Sequence, residues 1–126
     1  MSHLKYVLVA LLSACMLARP SPPSAMACNM KAISAKERAR YNTLLNQIKA
    51  GVTGPREIND GYVWELSGTK ASLKDAAEWA MLERRCCPFL VIQLEATGSG
   101  PGFRISLKGP EGVKAFLISE FGMVQK

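Results

Sequence analysis

Apolar residues recur at Tyr41, Leu44, Leu45 and Ile48 with Lys36, Arg40, Asn46 and Gln47 opposite them, the i, i+3, i+4, i+7 spacing of a single buried helical stripe. Ser34-Ala35-Lys36-Glu37 has the S-x-x-E spacing of a capping box, so the helix is expected to start there. It runs to about Ala50, with Gly51 as its stop. Asn59-Asp60-Gly61 then separates VTGPREI from YVWEL and predicts a strand pair, or a turn into one strand. In YVWEL, Tyr62, Trp64 and Leu66 face one way, and Val63 and Glu65 the other.

Ser72 with Asp75 predicts a second helix whose main apolar face holds Leu73, Ala76, Ala77, Ala80 and Met81. Trp79 and Leu82 form a flank that Cys86 continues, and Pro88 should stop the helix at Arg85 or Cys86. On that helix Cys87 would point about 100° away from Cys86, making it the less core-directed of the pair. Residues 89–96 and 103–108 alternate as two strands around the loop TGSGPG, and a last helix carries Val113, Phe116, Leu117 and Phe121 inward to Gly122. The order predicts an α+β fold in two layers, a small antiparallel sheet packed by about three helices, as one domain over 28–126.

Composition agrees with one globular domain: 48% of the 126 residues are hydrophobic and 21% charged. The formal charge of +6 is spread through KERAR, LKDAAEW and LERR, where acids alternate with bases, so no basic patch speaks for a nucleic-acid partner. The first 27 residues read differently. MSHLK, the apolar run YVLVALLSACMLA and the small, proline-rich RPSPPSAMA match the three regions of a secretory signal. Leu12-Ser13-Ala14-Cys15 resembles a lipobox, which makes Cys15 a candidate lipid-attachment site followed by a Pro/Ser tether, with the membrane as partner. Ala25-Met26-Ala27 resembles an ordinary cleavage site, and a translation start at Met26 would instead make the protein cytoplasmic. The expected location is the bacterial cell envelope, lipid-anchored or secreted.

MACNMKAIS, GYVWEL, LERRCCPFLVIQLE and LKGPEGVKAFL, spread between Met26 and Gly122, resemble segments of a family of small bacterial proteins. CCPF and GPEGVK are the most specific of them. The resemblance carries no activity, substrate or catalytic residue, and the extension before Met26 departs from the family pattern.

The sole histidine, His3, lies in the removable segment, so Cys/His zinc fingers and Ser-His-Asp or Cys-His catalytic sets all lack a component. Nucleotide-binding glycine motifs are absent. Chemistry therefore concentrates on Cys28, Cys86 and Cys87, and the expectation is a non-catalytic binding module. Three converging sulfurs suit a thiophilic metal ion, and zinc would need a fourth ligand such as Glu83 or Glu95. In an oxidising compartment Cys28 could instead bridge to Cys86 or Cys87, as a staple or as a thiol-disulfide redox couple, with Arg84 and Arg85 favouring a nearby thiolate. The plain alternatives are that the cysteines are small buried apolar groups in a structural or interaction domain and that Glu83, Arg84 and Arg85 are a solvated helix end.

Overall fold

Two serines start the two long helices. Ser34 accepts the N–H of Glu37 while the Glu37 carboxylate accepts that of Ser34, and Ser72 and Asp75 exchange the same bonds. Each box thus satisfies N–H groups around the helix start that would otherwise lack partners. The computed structural model describes residues 26–122, so His3, Cys15 and the apolar run around it lie outside the described residues.

Within that span, a 3-10 turn at Met30–Ala32 leads into helix α1 (Ala35–Gly51), strands β1 (Val52–Ile58) and β2 (Gly61–Leu66), and helix α2 (Leu73–Cys86). Strands β3 (Val91–Ala96) and β4 (Phe103–Lys108) and helix α3 (Val113–Phe121) follow. The strands form one antiparallel sheet in the order β1-β2-β4-β3, two hairpins joined through β2 and β4. Asn59-Asp60 is the turn of the first hairpin, so the stretch before it is a strand of its own. Gly61 sits opposite Lys108, where any Cβ would collide with the Leu107 carbonyl. Pro55 lies on the edge strand β1, at a register shift between Thr53 and Arg56, a place where a missing N–H is tolerated.

The helices pack against the sheet, giving the α+β architecture that the alternation predicts. Trp64, Leu66, Phe103, Ile105 and Leu107 form the sheet's share of the core. On the opposite face Arg104 bridges Glu65 of β2 and Glu95 of β3, an exposed cross-strand network of small energetic weight. Arg40 holds Glu78 through two hydrogen bonds of 2.8 and 2.7 Å and ties α1 to α2.

Helix α2 is rotated from the orientation its alanines suggest. Its buried residues are Ala76, Trp79, Glu83 and Cys86, while Met81 is 67% exposed and Leu73 also faces out. The seam follows the bulkiest group: Trp79 packs edge-on against Phe121 at a centroid distance of 6.1 Å, and that contact brings Glu83 and Cys86 inward one and two turns later. Met81→Ala is accordingly expected to change stability by under about 0.5 kcal/mol, and Trp79→Ala to cost about 3–5 kcal/mol, in urea unfolding. Comparable losses from the two would contradict this orientation.

Candidate thiol and metal site

The site forms where an irregular arm crosses the end of α2. The Asn29 N–H donates to the Cys86 carbonyl at 2.8 Å, and the Asn29 side chain accepts from the Lys31 N–H, starting the 3-10 turn. Two arginines then take up the arm's carbonyls. Arg38 donates to Met30 and Ile33, at 3.3 and 2.8 Å, and Arg85 donates to Ala32 at 3.1 Å while paired with Glu37. Arg85 is therefore occupied by the arm and by Glu37.

At the other side Pro88 cuts the helix off. Cys87 becomes the C-cap at φ −125° and ψ 70°, its N–H still donating to Glu83 and its carbonyl accepting from Leu90. Its departure from helical backbone is why the 100° helical offset does not govern its side chain. Cys86 and Cys87 are both 1% exposed, which corrects the expectation that Cys87 is the less buried. Cys86 completes the α2 seam, and Cys87 turns toward the arm, where it forms a disulfide with Cys28 across a Cα–Cα distance of 4.6 Å. Cys86 is a free, buried thiol. Burial pushes its pKa up, Glu83 adds to the rise and Arg85 opposes it, so the neighbouring arginine does not make it a reactive thiolate.

The third member of the site is Glu83. It is fully buried, not part of a solvated helix end, and it is the sole buried charged residue among those described. One of its carboxylate oxygens and the sulfurs of Cys28 and Cys87 all lie within 4.8 Å of one another, a group that could hold a metal ion. Glu95, the other carboxylate considered as a ligand, is on β3 with Arg104. Neither oxygen of Glu83 closes a hydrogen bond of ordinary geometry, nor does the indole N–H of Trp79 beside it. Burial pushes the Glu83 carboxyl up to about 6; the Tyr41 hydroxyl facing it opposes the shift and the Glu120 carboxylate adds to it. Tyr41 is itself raised, by burial first and by Glu83 second. Sequence reasoning reached Glu83 only as a spare ligand. The clearer signal was its place four residues after Trp79 and three before Cys86, in the middle of an apolar stripe.

A cleft of about 360 Å³ leads to this group, lined by Ala27, Cys28, Met30, Tyr41, Glu83 and Glu120 among others. Among the described residues no helix is long and apolar enough to cross a membrane. The chain matches no protein-family model, and neither curated proteins nor solved structures match it.

Two outcomes follow from this geometry. The disulfide closes a loop across a sequence separation of 59, so reduction is expected to cost roughly 2–4 kcal/mol in urea unfolding. No change on reduction would show that the arm is held by its hydrogen bonds alone. Glu83 supplies a pH dependence of opposite sign to that of a salt-bridged acid. Its folded pKa lies above the ordinary 4.5, so its contribution is fully favourable below that value and is lost as pH rises through about 6. The oxidised wild type should lose about 2 kcal/mol relative to Glu83→Gln between pH 4 and 7. A pH-independent difference between the two would remove Glu83 from the account.

Proposed function

We propose that the domain is a non-catalytic module of the cell envelope that binds a thiophilic metal ion through Cys28, Cys87 and Glu83, with the disulfide as the closed, oxidised form of the site. The observation that carries this reading is the fully buried Glu83 carboxylate, faced only by the Tyr41 hydroxyl and close to two sulfurs. A structural disulfide needs no acid next to it, and a buried carboxylate with no cationic partner costs stability. A cation between carboxylate and thiolates removes that cost. Two thiolates on one tetrahedral ion at about 2.3 Å stand roughly 3.7 Å apart, so the two sulfurs, bonded to one another in the disulfide, must separate on reduction before they share an ion with Glu83.

The donor set is chemically selective. Thiolates favour zinc, cadmium, mercury and Cu(I) over magnesium or calcium. The single carboxylate keeps zinc and cadmium in range, and the cleft supplies room for water as a further ligand. Glu120, exposed at the cleft, adds negative charge along the approach. An envelope location fits the disulfide, since such bonds persist in oxidising compartments. It also fits the signal-like first 27 residues and Cys15 as a membrane anchor.

The test uses reduced protein under anaerobic conditions, titrated with Cd²⁺ and followed by thiolate-to-metal charge-transfer absorption. One equivalent should bind to wild type, Cys28→Ser and Cys87→Ser should each lose the absorption, and Glu83→Gln should weaken binding at least about tenfold, or 1.4 kcal/mol. Metal added to the reduced wild type should also restore stability lost on reduction. Equal affinity in Glu83→Gln and wild type would eliminate the proposed ligand set.

A further inference from the structure

The two sulfurs of the disulfide are not equivalent. Cys87 is 1% exposed and sits in a backbone turn fixed by the bonds from its N–H to Glu83 and from the Leu90 N–H to its carbonyl. Cys28 is only half-buried, lies on the irregular arm before the 3-10 turn, and lines the cleft, which Cys87 does not. The cleft beside Cys28 is lined at its open side by Ala27, Met30, Asn42, Leu45 and Glu120, a mixed apolar and polar surface of the kind a protein partner covers.

We infer that the Cys28–Cys87 bond is a substrate for a protein dithiol, which attacks at Cys28 Sγ and expels Cys87 as the leaving sulfur. This rests on the reading that the reduced pair is the working form of the site, and it names what regulates that form. Access decides the direction, because thiol-disulfide exchange requires the attacking thiolate to reach one sulfur and push out the other. In the first step the partner's thiolate forms a new S–S bond to Cys28, the Cys28–Cys87 bond breaks, and its electron pair leaves on Cys87 Sγ. In the second step the partner's other thiol gives its proton to solvent and attacks its own neighbouring sulfur. This releases Cys28 as a thiolate and leaves the partner oxidised. Two electrons pass from the dithiol to the pair, and the two thiolates stand beside Glu83 to take a proton or a soft cation. Cys86, buried on the α2 seam, takes no part.

The full chain in its disulfide form, incubated with a thioredoxin whose second active-site cysteine is replaced by serine, should give a one-to-one disulfide-linked complex that dithiothreitol dissolves. Peptide mapping should place the link on Cys28 at about a tenfold or greater excess over Cys87. A link through Cys87 or Cys86 would overturn the assignment. So would the absence of any complex under conditions in which a small phosphine opens the same bond. Metal titration of phosphine-reduced protein involves no exchange partner, so its failure with an intact Cys28 link would sink the metal reading alone. The reverse result would sink the exchange alone.

Discussion

The bond between Cys28 and Cys87 fixes what the rest of the site can be. It pins an arm that belongs to no sheet or long helix across the end of α2, and the arm covers part of the floor on which Glu83 lies. Tyr41 and Leu45 of α1 and Phe121 of α3 close the cleft from the other sides. The hydrogen bond from Asn29 to Cys86 and the two arginine clamps hold the same arm in the same place. The arm is thus tied down by contacts other than the disulfide.

Two opposing contributions meet within 4.8 Å. The disulfide stabilises the domain by restricting the unfolded chain, and Glu83 destabilises it whenever it is charged and unpartnered. Glu83 lies between Trp79 and Cys86, facing Tyr41, and is the one buried charge among the described residues.

Most of the fold was legible because its signals are local. The capping boxes at Ser34 and Ser72, the Asn59-Asp60-Gly61 turn and the alternation of Phe103, Ile105 and Leu107 each act within a few residues of chain. The orientation of α2 was not legible, because several alanines offer an apolar face with little weight behind it, and the tertiary contact of Trp79 with Phe121 decided the outcome. The site was legible in part. The sequence singled out Cys28 and Cys87, but their pairing depended on Pro88 forcing Cys87 out of helical geometry, and Glu83 depended on the helix rotation. Cys86, adjacent in sequence and equally buried, belongs to the core seam, a distinction that spacing alone could not draw.

X-ray absorption at the zinc edge of the reduced, zinc-loaded protein reads the coordination shell itself. Two sulfur scatterers at about 2.3 Å with oxygen at about 2.0–2.2 Å are expected, and the oxygen shell should shrink in Glu83→Gln. A shell of nitrogen and oxygen alone, or a sulfur shell unaffected by replacing Cys28 or Cys87, would contradict the assignment of these residues to one metal-binding unit.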